Sequence, residues 1–336
     1  MADRELPPPG RPLGQRALRG RRDYRDAGQL VRRLRHPVAT AIVAVPLACA
    51  LALGGLVAAW LAGWPVPGAS GATWFEVTKI ASADYTPEPG APVFLLVIGN
   101  DGRPGDTITR GDAIHLIGVN PATKQATILD FPRDTALQVP GHGLDKVTHA
   151  HAYGGPRLMA ETISNAVGAP IPYAISTDFD GFIGMVDGMG GLVVNVPERM
   201  KDKDAGVDLE PGPARLNGTM ALGYARNRKQ FSSGDLRRTE NQGYLIVQGL
   251  AQLRVENTGP IGTLRLLANL GRHAQLDGVG LKDLYALGRL GLDVDPANVR
   301  NVVVPVGSGS GSQLRLSGDY QSLFADFADD AVLQTH

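Results

Sequence analysis

Three apolar runs follow one another closely at residues 93–98, 113–119 and 125–131, and they limit the possible fold more than any other feature of the chain. Rich in β-branched residues and bounded by Gly, Asn and Pro, they read as strands of a buried sheet. Charged residues stand at their ends. Asn100-Asp101-Gly102-Arg103 closes the first run, Arg110-Gly111-Asp112 enters the second and Pro132-Arg133-Asp134 leaves the third. Ligands of open α/β sheets gather at strand ends. The sharp reading is therefore an anion held by arginines beside a metal held by Asp101 and Asp112. The competing reading is plain solvated turns, because Gly, Asn, Asp and Pro are what turns need. Two other motifs are excluded. The interval from Asp101 to Asp112 has the length of a calcium loop, but Arg103 and Gly105 offer no carboxylate or amide oxygen where that loop needs one. Gly102 and Gly105 lack the Lys-Ser/Thr of a phosphate-cradling loop.

The formal charge of zero conceals an asymmetry. Residues 1–36 carry ten arginines against Asp3, Glu5, Asp23 and Asp26, a net of +6, which leaves −6 for the remainder. Residues 38–64 follow with no ionisable group except the Cys49 thiol. That run is long enough to cross a hydrocarbon core of about 30 Å and reads as a transmembrane helix, with Trp60 and Trp64 at its outer interface. Basic flanks stay cytoplasmic, so the bulk of the chain is expected outside the cell membrane, beginning near Trp74. The arginine tail reads as a topology signal touching lipid headgroups rather than a nucleic-acid arm. With its sole cysteine in the span, the outer part has no disulfide.

Further along, residues 73–80 read as a strand whose partner is not legible. His149 and His151 could hold zinc from one strand face, but no further ligands lie at the required spacing, which favours ordinary hydrogen-bonded histidines. Helical spacing begins at Pro156 and runs to residue 167. Residues 171–176 and 192–196 read as strands, 179–187 as a helix, and 201–210 as a charged loop. A short helix at 216–224 opens near Asn217-Gly218, and 239–254 is amphipathic. Helices at 262–270 and 281–290 and a strand at 302–306 precede a Gly/Ser linker, 307–312, and a last helix near 320–332. Arg226, Arg228 and Lys229, then Asp235, Arg237 and Arg238, form a second basic cluster. A solvated face explains such a run equally well when it stands alone.

Taken in order, seven motifs resemble the LytR-CpsA-Psr family of membrane-anchored cell-wall glycopolymer transferases. They are LLVIGNDGR (95–103), TRGDAIHLIGVNP (109–121), FPRDT (131–135), KVTHAHAYGG (146–155), DFDGFIGMVDGMGGLVVNVP (178–197), LNGTMALGYARNRK (216–229) and GDLRRTENQ (234–242). The departures are Asp130-Phe131 where the family usually has Ser before its Pro-Arg-Asp step, Thr148 where it usually has Asn, and Asn241 where it often has Arg.

The resemblance implies an α/β fold, a three-layer α/β/α sandwich with a mixed central sheet, preceded by a single transmembrane helix and enclosing a tunnel for a polyprenyl chain. It implies five segments: a basic cytoplasmic tail 1–36, the helix 37–64, a juxtamembrane spacer 65–92, the catalytic domain 93–306, and a C-terminal linker and helix 307–336. The expected partners are a polyprenyl-pyrophosphate-linked glycan, peptidoglycan and membrane lipid, with no nucleic acid. The expected reaction moves glycosyl phosphate to a peptidoglycan hydroxyl and releases polyprenyl phosphate. Arg133, Arg226, Arg228 and Arg238 are assigned to the pyrophosphate, whose oxygens suit guanidinium forks. Asp101 and Asp112 are assigned to Mg2+ or Mn2+, and Asp235 to the acceptor's proton. Arg103, Arg110, Lys146 and Gln242 complete the expected substrate contacts. A pyrophosphate hydrolase would use the same residues. A lipid-binding scaffold would not need two carboxylates beside a phosphate. A transcriptional regulator is disfavoured, because the tail has no helix-turn-helix pattern. Ala, Gly and Arg richness fits a high-GC genome and an arabinogalactan-type polymer, with teichoic acid and capsule also open.

Overall fold

The computed structural model of the chain describes residues 73–80, 90–102, 109–229, 234–256, 259, 271 and 273–334. The basic tail, the proposed span 37–64, Arg103 and the helix expected at 262–270 lie outside the described residues. The chain divides into two units, 1–67 and 68–336, and all of the described elements belong to the second. Among the described residues no helix is long and apolar enough to cross a membrane.

Four strands, β1 (Phe75–Lys79), β2 (Val93–Asn100), β3 (Gly111–Asn120) and β4 (Gln125–Asp130), lead into a hairpin of β5 (Ala136–Val139) and β6 (Gly143–Lys146). Helix α1 (Val147–Val167), β7 (Tyr173–Thr177), α2 (Phe179–Gly188) and β8 (Leu192–Val196) come after it. Next come β9 (Met200–Asp202), β10 (Val207–Leu209), β11 (Gly212–Leu216), α3 (Gly218–Arg226) and α4 (Gly234–Glu256). The chain ends with β12 (Ala274–Asp277), α5 (Leu281–Asp293), β13 (Val299–Val303), a hairpin of β14 (Val306–Ser308) and β15 (Leu314–Leu316), and α6 (Tyr320–Asp330).

Seven strands form one sheet in the order β12-β1-β7-β2-β3-β4-β13. It is mixed: β3 runs antiparallel to β2 and β4, whereas β7–β2 and β4–β13 are parallel pairs. Alternation along β2 shows why both faces matter. Phe94, Leu96 and Ile98 are buried among Met159 and Ile163 of α1 and Phe324 and Phe327 of α6. Val93, Leu95 and Val97 point the other way, into a cavity roofed by α2, α4 and α5. The helix layer on the first face lies close. A Cβ on Gly118 of β3 would come within 2.8 Å of the Ala331 Cβ and 2.9 Å of the Phe327 ring, so glycine is what lets α6 rest flush on the strand.

Several sequence expectations need correction. The expected spacer contains β1, which sits inside the sheet, antiparallel to β7 and parallel to β12. The expected linker is the β14–β15 hairpin, and α6 after it is core. The sheet domain thus extends past 93–306 in both directions. Its ends escape a local reading because Gly and Ser rarely signal a strand, and because both partners of β1 lie far away in sequence. The charged stretch 201–210 holds the β9–β10 hairpin rather than a plain loop. His149 and His151 sit on helix α1, not on a strand. The helix is broken at Gly154 and at Gly155, whose φ is 63°, and Pro156 opens its second half, where a missing N–H costs nothing.

Two caps prepare the site. The Asp178 carboxylate accepts the Gly181 N–H at 2.7 Å, turning β7 into α2. The Asn217 side chain accepts the Met220 N–H at 2.9 Å and starts α3, whose last residue is Arg226.

Candidate active site

The cavity holds about 950 Å³. Its inner wall is apolar, with Leu95 and Ile117 from the sheet facing Leu250 and Leu253 of α4 and Leu290 of α5. Its other end is charged. Asp101, Asp112, Arg133, Arg226, Arg228 and Arg238 all line it, as does Gln242.

The strand ends dictate this convergence. Beyond β2 and β3 the hairpin continues, with the Asp101 N–H donating to the Arg110 carbonyl at 3.1 Å and the Arg110 N–H donating to the Asp101 carboxylate at 2.8 Å. Arg133 leaves β4 through a turn in which the Thr135 hydroxyl donates to the Pro132 carbonyl at 2.6 Å. Its Nη1 meets Asp112 at 2.9 Å, and its Nε lies 3.7 Å from Asp235. Asp235 occupies the first turn of α4, where a carboxylate suits the helix dipole. It also pairs with Arg238 at 2.9 Å and Arg228 at 3.4 Å, so three guanidinium groups share one carboxylate. Arg226 stands 5.1 Å over the Phe179 ring.

Four arginines crowd this end of the cavity, and their crowding is felt. Burial lowers the pKa of Arg238, which is only 8% exposed. Asp235 opposes that effect, while Arg133 and Arg228 reinforce it. On Arg133 burial also works against the charge, but Asp112 and Asp235 outweigh it and raise the pKa. A cluster of this kind is relieved by an anion shared among the guanidinium groups.

Other expected contacts are placed elsewhere. The Arg110 side chain is exposed and off the cavity wall; its backbone makes the contact with Asp101. Lys146 pairs with Asp134 at 2.7 Å, also off the wall. Gln242 donates to the Ala225 carbonyl at 3.2 Å, tying α4 to the end of α3. His149 bonds Asp145 at 3.0 Å and His151 bonds the Thr109 carbonyl at 3.0 Å, so both are ordinary hydrogen-bonded histidines. Among the described residues no group of three or more His, Cys, Asp or Glu side chains could hold a metal.

Sequence reasoning missed Asp202, which carried no signal inside a charged stretch. Its nearly buried carboxylate accepts the N–H groups of Asp204 and Ala205 at 3.0 and 3.2 Å, and of Arg228 and Lys229 at 3.4 and 3.2 Å. It thereby pins the backbone that carries Arg228. Burial alone would raise its pKa, but the N–H donors of Lys229, Ala205 and Arg228 outweigh that and hold it below the ordinary value. Asp202→Ala is expected to cost roughly 1–3 kcal/mol of stability at neutral pH. A lowered carboxylate pKa contributes fully above the unfolded value of about 3.9 and fades as pH falls through the folded value. Urea denaturation should therefore show the gap between variant and wild type shrinking below about pH 4.

Residues 75–324 match the LytR_cpsA_psr family. The chain belongs to the LytR-CpsA-Psr family. One relative is the polyisoprenyl-teichoic acid–peptidoglycan teichoic acid transferase TagT of Bacillus subtilis strain 168. It is 37% identical over 166 residues, which cover 46% of this chain and 51% of that protein. The chain thus spans about half the length of the curated relatives it matches. Among solved structures of the family, the LytR-Csp2A-Psr enzyme from Actinomyces oris is similar over 73% of this chain and 93% of its own, with 24% identity and a TM-score of 0.59. The family protein TagT with bound octaprenyl pyrophosphate lipid is similar over 76% and 97%, with 24% identity and a TM-score of 0.56. These two likenesses are of fold.

Proposed function

We propose that this chain is a phosphotransferase that moves glycosyl phosphate from a polyprenyl-pyrophosphate-linked glycopolymer to a hydroxyl of peptidoglycan, releasing polyprenyl phosphate. One observation carries the reading: a single cavity of about 950 Å³ is apolar along its length and ends in four arginines. A prenyl chain is matched by the first part and a pyrophosphate by the second. The naming of relatives as polyisoprenyl-teichoic acid–peptidoglycan transferases supports the substrate class.

In this reading the arginines grip both phosphates, and their fixed charges offset the charge that builds during transfer. The acceptor hydroxyl oxygen bonds to the glycan-side phosphorus as the bridging P–O bond breaks, leaving the bridging oxygen on polyprenyl phosphate. Asp235, paired with Arg133, Arg228 and Arg238, is assigned in this reading to accept the hydroxyl proton. Asp101 and Asp112 fit a hard divalent cation, Mg2+ or Mn2+, because two carboxylate donors on one cavity end suffice when phosphate oxygens complete the shell. Such an ion would neutralise phosphate charge there. The run 37–64 is assigned as the membrane anchor, with the +6 tail cytoplasmic and the domain outside.

The test incubates the full chain with a short polyprenyl-pyrophosphate glycan carrying labelled sugar, magnesium and a peptidoglycan oligomer. Labelled polymer should appear on the oligomer in step with polyprenyl phosphate. Equal release with and without acceptor, and no phosphodiester, would leave a hydrolase instead.

A further inference from the structure

The cavity wall carries one polar couple that the proposed reaction does not use. On β3, Ala113, His115, Ile117 and Val119 face the cavity in succession. His115 therefore sits one side-chain repeat, roughly 7 Å, inward of Ala113, and the row beyond it is Leu95, Ile117 and Ile128. Its Nδ1 lies 2.6 Å from Asp130 Oδ1, the residue directly opposite on β4, and the two side chains are 2% and 0% exposed. The other ring nitrogen, Nε2, has no hydrogen-bond partner among the described residues. Behind the pair stand Asn301 and the more distant Glu240, and a Cβ on Gly243 would collide with both Asn301 and Asp130. Glycine there makes room for the couple.

A buried carboxylate resists carrying a charge of its own. Burial raises the Asp130 pKa, and His115 opposes the rise. With Nδ1 engaged by Asp130, Nε2 is the ring atom left to meet a ligand. An anion at Nε2 favours the ring state with a proton there, and Nε2–H then donates to it.

We propose that His115 Nε2–H donates a hydrogen bond to the lipid-side phosphate of the prenyl pyrophosphate, with Asp130 as the positioning residue; this rests on the transferase reading of the cavity. The prenyl chain fills the apolar inner wall, so the lipid-side phosphate lies inward of the glycan-side one. His115 is the first polar side chain of β3 met inward of Asp112. A wall serving only the prenyl chain would gain nothing from a buried ionisable couple.

The experiment measures binding of decaprenyl phosphate and of decaprenol to the detergent-solubilised full chain. The variants are His115→Leu with Asp130→Asn, and His115→Gln. Wild type should prefer the phosphate. The double variant should lose tenfold or more in affinity for decaprenyl phosphate and nothing for decaprenol, while His115→Gln, which keeps a donor, recovers part of the loss. Should the double variant not fold, His115→Asn makes the same comparison, because its shorter amide can bond Asp130 without reaching the phosphate. An equal loss for both lipids, or no loss for either, overturns the assignment. Failure of wild type to bind either lipid overturns the transferase reading and this inference together.

Discussion

Arg133→Lys is expected to retain lipid binding and to lose transfer by roughly tenfold to a hundredfold. Arg133 reaches two carboxylates at once, Asp112 through Nη1 and Asp235 through Nε. Lysine keeps the charge but not the fork, so it can satisfy one of those partners and leaves a phosphate oxygen without its donor. A charge-assisted hydrogen bond contributes about 1.5–3 kcal/mol, and losing one that persists into the transition state slows turnover by about that factor. The prenyl chain binds along the apolar wall, so equilibrium binding of the lipid should change far less than kcat. Arg157→Lys serves as the control. Arg157 pairs with Asp277 at 2.7 Å in an exposed salt bridge away from the cavity, and its replacement should leave both numbers unchanged. The readout is labelled polymer formed per unit time against lipid bound.

The opposite dissociation is expected from Gly249→Phe. Gly249 of α4 lines the cavity, and a Cβ built on it meets nothing within 4 Å. The new ring starts from a Cβ that meets no protein atom and extends into the space assigned to the prenyl chain. Replacing a helix-interior glycine removes a propensity penalty of about 0.5–1 kcal/mol, so stability should hold or rise slightly. Prenyl-lipid binding should fall at least about a hundredfold, because a blocked apolar site forfeits most of the burial that drives it. Transfer should fall with it. Thermal denaturation beside a lipid-binding titration distinguishes this outcome from simple unfolding.

Both variants show which parts of the site are legible in the sequence. Arg133 is legible because a charged residue just past the end of a buried apolar strand stands where ligands of α/β sheets gather. Its convergence with Arg228 and Arg238 is legible only through the family resemblance, since they meet only when α4 begins at Gly234 and carries Asp235 in its first turn. The amphipathic pattern begins only at 239, and the basic residues before it look like a loop. Arg110 looks equivalent to Arg133, yet its side chain is exposed beside the hairpin and only its backbone N–H binds Asp101.

The fold divides in the same way. Strands β2, β3, β4 and β8 declare themselves as short apolar runs bounded by turn residues. Strand β1 needs its partners β7 and β12, which lie about one hundred and two hundred residues away, before it reads as central. The couple of His115 and Asp130 depends wholly on the register of β3 against β4, which no periodicity specifies. Gly249 is legible only as part of a helix face, because whether that face meets side chains or open space depends on α5 across the cavity.

The central claim is that the apolar cavity and the arginine cluster are one site for one ligand. Crystals of the protein grown with a prenyl-pyrophosphate-linked sugar test it most directly. The expected electron density runs from a prenyl chain against Leu95 and Ile117 to a pyrophosphate among Arg133, Arg226, Arg228 and Arg238. Pyrophosphate bound elsewhere, or a prenyl chain lying outside the cavity, would contradict it.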